Sequence, residues 1–289
     1  MSYLFNILIV CEIYLILALA MNLMAGYSGL LSLAQAAFYG VGAYTTALLL
    51  LKARVGFPAA LCGAVLFNML TCLPVIWFAI RLRDLFFTLC TLSWQIIVFA
   101  VLYNWMAVTN GSIGLAGIPK PVVFGYALVS PAAFALFGAA IALLVLLFFF
   151  GLKRTALLRL MEGVRDDQLA VMAMGKRPAY YKALAVMLSA AVSAIAGALF
   201  ATYYSYVDPT SFTLDESILI ISMVLIGGLG TIRGSVAGAL FYVMLPELLR
   251  FLEIPDAIAA NVRMILYALL LVLVVRFRPY GFFGKFKFE

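Results

Sequence analysis

Long apolar runs alternate with short polar connections along almost the whole chain. A transmembrane α-helix needs about 20 apolar residues. Stretches of this kind cover 4–25, 29–51, 58–80, 85–103, 131–151, 180–206, 216–248 and 262–276. This pattern predicts an all-α polytopic membrane protein in which residues 1–289 form a single transmembrane domain. We expect about 8–10 transmembrane helices or half-helices, some of them broken by glycine-rich segments.

The distribution of lysine and arginine predicts which connections face the cytoplasm. Cations are concentrated in the connection 152–182 and in the tail 277–289, so both are predicted to be cytoplasmic by the positive-inside rule. The connection 104–130 has only one cation, Lys120, and 207–216 is acidic, so both are predicted to lie outside.

These orientations require a break in the stretch 216–248. It leaves the outer side, and the final stretch must also start there to end inside. The stretch is therefore predicted to enter the membrane and return as a hairpin, since irregular backbone at membrane depth is tolerated within protein or beside water. Its break is predicted at Gly227, Gly228, Gly230 and Gly234.

A second conflict arises near the N-terminus. Lys52 and Arg54 cannot share a side with Arg81 and Arg83 if 58–80 crosses the membrane once. Either 29–51 is also broken, around Gly26, Gly29 or Gly40, or the charge rule fails for one short loop, and the sequence leaves both explanations open.

A short internal similarity points to a transport path. Residues 21–26 resemble 223–228, and both segments precede glycine-rich turns. Broken segments at corresponding positions of two halves are typical of transporters. The residues predicted to form the path or the helix breaks are Gly26, Gly29, Gln35, Ser189, Ser193, Gly227, Gly228, Gly230 and Gly234. Small residues spaced by four from Ser189 to Ser205 also favour close helix packing.

Composition supports a membrane protein and excludes several kinds of chemistry. The 289-residue chain is 67% hydrophobic and 11% charged, whereas soluble domains have about 25% charged residues. Its net charge of +7 lies largely in short loops, which is explained by the orientation of the chain in the bilayer. Nucleic acid is therefore not expected as a partner. The chain has no histidine, and its four cysteines lie in apolar runs without a C-x-x-C pair. No catalytic residue, metal site or cofactor is therefore expected.

Several polar residues interrupt the apolar runs. Glu12 is either a functional intramembrane carboxylate or one that reaches interfacial water or a cation. Uncharged amides are predicted to form hydrogen bonds between helices, and these are Asn22, Gln35, Asn68 and Gln95.

The cytoplasmic connection predicts a short amphipathic helix over about 156–178. Apolar residues recur there at helical spacing, Gly175 can end the helix in a left-handed conformation, and Pro178 blocks its continuation. Its apolar edge needs a partner, either lipid headgroups or a protein, and its carboxylates favour a protein.

At this helix the sequence resembles a known family. The run 160–168, followed by 173–175 and Tyr181-Lys182, is similar to the coupling segment of bacterial ABC-importer permeases, and most to the branched-chain (hydrophobic) amino-acid uptake group of LivM type. Further segments that resemble this group are 22–38, 111–115, 117–119, 189–197, 209–212, 227–231 and Gly234.

The resemblance implies the permease subunit of an ATP-driven importer in the bacterial cytoplasmic membrane. Such a subunit pairs with a second permease, docks two cytoplasmic ATPase subunits and receives substrate from a periplasmic binding protein. The implied coupling residues are Arg159, Glu162, Val164, Arg165, Asp166, Asp167 and Gly175. The chain has no Walker A motif, so it is not expected to hydrolyse ATP itself.

The substrate implied by the resemblance is a branched-chain amino acid, with urea or a short amide as the alternative. Two other classes of protein compete with this assignment. An ion-coupled secondary transporter usually needs intramembrane carboxylates, for which Glu12 is the candidate. A membrane enzyme needs a nucleophile, a base or a metal cluster, and the apolar spans offer none.

Overall fold

The computed structural model describes residues 2–82, 84–123, 126–250, 269, 272, 273, 276 and 280–284. The α-helices of this part are α1 (Ser2–Asn22), α2 (Gln35–Leu51), α3 (Phe57–Thr71), α4 (Leu73–Arg81), α5 (Asp84–Asn104), α6 (Met106–Thr109), α7 (Pro131–Arg154), α8 (Ala156–Asp166), α9 (Gln168–Ala173), α10 (Pro178–Tyr204), α11 (Leu214–Gly227) and α12 (Ile232–Arg250). Its strands are β1 (Leu115–Ala116), β2 (Val122–Val123), β3 (Tyr126–Ala127) and β4 (Tyr206–Val207). The predicted stretch 262–276 and the tail 277–289 lie mostly outside the described residues.

Five helical segments of the described chain are long and apolar enough to cross a membrane. They are Tyr3–Tyr27, Phe57–Arg81, Leu85–Asn104, Pro131–Arg154 and Pro178–Tyr204. The helices α2, α11 and α12 complete the bundle with shorter apolar segments. The prediction of an all-α membrane bundle that combines full and broken helices is therefore confirmed.

The helices run between two ends of the bundle, and consecutive long helices alternate in direction. We call the end that carries α8 and α9 the coupling end, and the opposite end the outer end. At the outer end, β1 pairs antiparallel with β4 and fastens the connection 105–130 to the end of α10. Lys120 donates a hydrogen bond to the Tyr203 carbonyl there, and burial lowers the pKa of its ammonium group. Because α10 has 27 residues, at 1.5 Å per residue it spans about 40 Å between the two ends.

The first helices resolve the conflict between the cations near the N-terminus. The ammonium of Lys52 donates to the carbonyls of Ala107 and Val108, at 3.3 and 3.4 Å, and so lies at the outer end. Arg81 ends α4 at the coupling end, since the adjacent Ile80 lines a pocket together with Gly175 and Lys176. The charge rule therefore fails for the short loop after α2, where loop carbonyls hold the lysine.

The stretch 216–248 is a broken hairpin, as its orientation predicted. Helix α11 runs towards the coupling end and stops at Gly227, and α12 returns along it. The Tyr3 hydroxyl donates to the Glu247 carboxylate, which places the far part of α12 beside the start of α1 at the outer end. Helix α11 has 14 residues, or about 21 Å, against a hydrocarbon core of about 30 Å. A helix of this length does not cross the core by itself.

Small residues let α2 and α10 pack closely at the centre of the bundle. A Cβ on Gly197 of α10 would lie 2.4 Å from the carbonyl oxygen of Tyr39, and one on Gly42 of α2 would lie 2.5 Å from the Cα of Ala194. Real Cβ atoms essentially never approach so closely, so only glycine permits this crossing. The small-residue stripe of α10 thus acts in helix packing.

Candidate functional site

The first helix break lies at the coupling end and has an ordered backbone. After α1 the chain forms a π-helix, Leu23–Tyr27, and regains α-helical geometry only at Gln35. Within the break Gly29 has a φ of +69°, and the Leu30 amide donates to the Met24 carbonyl at 2.9 Å. A π-helical turn is rare and frequently marks a functional site. The structure places Gly26 in the π-helix and Gly29 two residues after its end.

Polar side chains on one face of α5 form hydrogen bonds with backbone groups of the first break and of the start of α2. Thr88 donates to the Leu31 carbonyl, the Leu33 amide donates to Thr91, and the Ala37 amide donates to Gln95. The amides at a helix start have no intrahelical acceptor, and an unpaired group in hydrocarbon costs several kcal/mol. The two threonines were missed at the sequence level. Their spacing of three and four residues up to Gln95, within an apolar helix, is the signal that could have revealed them.

The second helix break separates α11 from α12. Gly228 and Gly230 have φ values of +115° and +73°. The Thr231 hydroxyl accepts from the Gly234 amide at 3.0 Å and so caps the start of α12. The described part of the tail packs against this break, since the Phe283 amide donates to the Gly227 carbonyl and the Phe283 carbonyl accepts from the Thr231 hydroxyl.

Asn22 joins the two breaks. Its amide nitrogen donates to the Thr231 carbonyl at 2.8 Å and to the Ser235 hydroxyl at 2.7 Å. Its amide oxygen accepts from the Gly230 amide at 2.9 Å. The side chain is buried, so these bonds are shielded from bulk solvent. The prediction that Asn22 bonds helices together is confirmed, and the segments 21–26 and 223–228 lead into breaks that touch each other.

A second polar cluster joins α1, α2 and α10. The amide of Gln35 donates to the Ser193 hydroxyl at 2.6 Å, and the Ser189 hydroxyl donates to the Ala20 carbonyl at 2.8 Å. All three polar side chains are fully buried. Asn68 likewise donates to the carbonyls of Phe38 and Ala190. The predicted role of Gln35 and Asn68 as interhelical bonds is confirmed. A place for Gln35, Ser189 and Ser193 on a translocation path stays a prediction.

The connection at the coupling end forms two helices instead of the single helix predicted over 156–178. Helix α8 ends at Asp166, and Asp167 starts α9 because its carboxylate accepts from the amides of Leu169 and Ala170. Gly175 follows α9 with a φ of +73°, as the predicted left-handed ending requires. The helix is interrupted here because the Asp167 carboxylate bonds to the first amides of α9, which favours the start of a new helix over continuation of α8.

The apolar edge of this connection is already covered by other parts of the same chain. Leu158, Met161, Val164 and Val171 are buried within the chain itself, where α8 packs on α7, α10 and the π-helix. The expectation that this edge needs a partner from another molecule is therefore wrong, while the implied coupling role of Val164 stays a prediction. Arg159, Asp166 and Asp167 are exposed, Glu162 is partly exposed, and the Arg165 side chain is only 11% exposed.

A different apolar surface of the connection is open. Leu169 is 70% exposed, Met172 47% and Met174 62%. We call these three residues the α9 patch. They lie outside the spans and beside the exposed carboxylates of Asp166 and Asp167.

Glu12 lies in the interior of the bundle, where α1 packs on α7. It is 7% exposed, and a Cβ on Gly138 would lie 2.1 Å from its Oε2 atom. Among the described residues, neither of its carboxylate oxygens has a hydrogen-bond partner. A cationic neighbour, one of the alternatives left open by the sequence, is thus not seen among the described residues, and the glycine opposite leaves room for the carboxyl group.

Comparison with known proteins places this geometry in a family. Residues 3–275 match the family model described as "Branched-chain amino acid transport system / permease component". The chain is 33% identical to the high-affinity branched-chain amino acid transport system permease protein LivM of Escherichia coli, over 93% of this chain and 67% of the relative. It is 32% identical to the LivM protein of Salmonella typhimurium over the same shares. No solved structure gives a significant match.

A more distant relative is the probable branched-chain amino acid transport permease protein LivM of Methanocaldococcus jannaschii. It is 29% identical over 49% of this chain and 43% of its own length. The family match covers nearly the whole chain and includes both helix breaks and the coupling connection. The chain therefore belongs to the family of permease components of branched-chain amino acid transport systems.

Proposed function

We propose that this chain is the permease subunit of an ATP-driven importer for a branched-chain amino acid. Its partners are a second permease subunit, two cytoplasmic ATPase subunits and a periplasmic binding protein, and it lies in the bacterial cytoplasmic membrane among lipids. The names of its relatives support the substrate class. The chain itself carries no ATP-binding Walker A motif, so hydrolysis belongs to the partner subunits.

The α9 patch is the observation that carries this proposal. Exposed apolar residues that cluster outside the membrane mark a surface for another protein. Two of the three residues are methionines, whose flexible side chains adapt to a partner. The exposed carboxylates beside them can fix the orientation of a docked ATPase, because charges at the rim of an interface contribute more to specificity than to affinity.

The bundle also supplies a route from this surface to the substrate side. Helix α10 begins three residues after Gly175 and continues unbroken to the outer connection. Its inner face packs on α2, which starts at the first break. A displacement of α9 by a docked subunit would therefore be transmitted to a continuous helix that contacts both the outer connection and the first break.

Reconstitution of the complete transporter tests the proposal. The chain is co-expressed with candidate partner genes from its genomic neighbourhood, and ATP hydrolysis and uptake are measured in proteoliposomes with the binding protein and leucine, urea or acetamide. We expect stimulation by leucine. Stimulation by urea or acetamide alone would assign the amide substrate class instead, and uptake that needs an ion gradient without ATP would contradict the importer.

A pair of variants tests the docking surface itself. Leu169→Asp places a charge in the α9 patch and should remove the ATPase subunits from the purified complex. Met106→Asp is the matched control, since Met106 is 65% exposed at the opposite end of the bundle. Equal ATPase retention in both variants would contradict docking at the α9 patch.

A further inference from the structure

Arg165 turns away from the surface on which an ATPase would dock. It lies in the last turn of α8, yet its side chain is only 11% exposed. Its Nη1 atom donates to the Gly26 carbonyl oxygen at 2.6 Å, and its Nε atom pairs with the Asp166 carboxylate at 2.8 Å. One guanidinium thus connects the coupling connection to the π-helix of the first break.

The same guanidinium also meets the second break. A Cβ on Gly230 would lie 3.4 Å from Nη1 of Arg165 and 3.5 Å from the Gly26 carbonyl oxygen. The arginine stem crosses the first break as well, because a Cβ on Gly29 would lie 2.7 Å from its Cγ atom. Both helix breaks therefore meet at one side chain of the coupling connection.

The chemistry of this contact suits a clamp that can open. A charged donor forms a stronger hydrogen bond to a carbonyl than a neutral donor does, and the planar guanidinium holds two acceptors in fixed directions. Asp166 is 58% exposed, so its pairing with Arg165 can be exchanged for water at little cost. A cavity of about 610 Å³, lined among others by Gly29, Arg165 and Lys182, lies beside the contact and gives the side chain room to move.

We propose that Arg165 is a positioning residue that clamps both helix breaks to the coupling connection. In the conformation described here it holds the breaks together at the coupling end, and displacement of α8 by the ATPase subunits withdraws it. The breaks then separate where Asn22 and Gly230 meet. This role rests on the proposed function, but it differs from a direct contact between Arg165 and the ATPase.

The test compares Arg165→Gln and Arg165→Lys in the reconstituted transporter, with Arg154→Gln as control because Arg154 is an exposed arginine at the end of α7. We expect Arg165→Gln to retain its ATPase subunits but to lose about tenfold or more in the ratio of ligand-stimulated to basal hydrolysis, the factor for a lost charge-assisted hydrogen bond. Arg165→Lys should give an intermediate ratio, and Arg154→Gln the wild-type ratio.

Two results would overturn the clamp. One is a wild-type ratio in Arg165→Gln, and the other is a loss of ATPase subunits in parallel with the loss of stimulation, which would make Arg165 a docking residue. If wild-type protein shows no ATP-dependent uptake, the proposed function fails instead, so the two failures are distinguishable.

A second variant reaches the same contact from the break, should Arg165→Gln not insert. Gly29→Ala drives a methyl group into the arginine stem and should also lower the ratio while the ATPase subunits stay bound. Gly117→Ala measures the cost of backbone strain alone, since Gly117 has a φ of +78° and nothing within 4 Å of its Cβ position. A wild-type ratio in Gly29→Ala would refute the clamp.

Discussion

Replacing Asn22 by leucine removes the hydrogen bonds between the two helix breaks while it keeps the number and branching of the side-chain heavy atoms. Three hydrogen bonds are lost, to the Thr231 carbonyl, the Ser235 hydroxyl and the Gly230 amide. Interhelical hydrogen bonds in membrane proteins average about 0.6 kcal/mol each, which gives about 2 kcal/mol. The Gly230 amide is left buried without an acceptor, at a cost of about 1 kcal/mol or more. The total destabilisation is therefore about 3 kcal/mol.

The assay is the apparent melting temperature of the detergent-purified protein, together with uptake at a temperature at which the variant is folded. A loss of about 3 kcal/mol corresponds to a decrease of roughly 6–12 °C, at about 2–4 °C per kcal/mol. Uptake should fall further than stability alone explains, because Asn22 no longer holds the two breaks together in the conformation described here.

Two other asparagines provide graded controls. Asn104→Leu removes one bond from an exposed side chain to its own helix and should leave the melting temperature nearly unchanged. Asn68→Leu removes two buried bonds away from the breaks and should lower stability without the additional loss of uptake. A melting temperature of Asn22→Leu equal to that of Asn104→Leu would refute the reasoning.

Three further predictions concern the coupling end and the interior of the bundle. Gly175→Val should insert normally but lose ATPase association or ligand-stimulated hydrolysis, because a β-branched residue in a left-handed position is strained by about 1–2 kcal/mol; co-purification with full uptake would contradict it. Glu12→Gln should leave uptake largely intact, because an ATP-driven importer needs no proton-carrying carboxylate; loss of uptake at normal protein levels would favour an ion-coupled transporter. Cysteine accessibility scanning across 216–248 should label both ends of the segment from the outer side, and a single crossing with its ends on opposite sides would disprove the re-entrant hairpin.

The sequence determined the architecture of the bundle because its signals are local or follow from simple counting. Apolar length predicted the spans, and charge alternation required 216–248 to return to the side that it left. Gly175 showed where the helices of the coupling connection end, because a glycine followed three residues later by Pro178 is a local stop signal for a helix. The buried amides Asn22, Gln35, Asn68 and Gln95 were also identified correctly as bonds between helices, since an amide in an apolar run must find a partner.

Only the tertiary structure decided which groups these residues contact. Helical periodicity shows that α8 has an apolar edge, but not that α7, α10 and the π-helix already cover it. The family resemblance implied that Val164 and Arg165 couple to an ATPase, but it could not show that both side chains turn inward and that the open apolar residues are those of the α9 patch. Lys52 lies at the outer end because carbonyls 55 and 56 residues away accept its hydrogen bonds. Contacts at such separations depend on how the helices pack, and no local pattern encodes them.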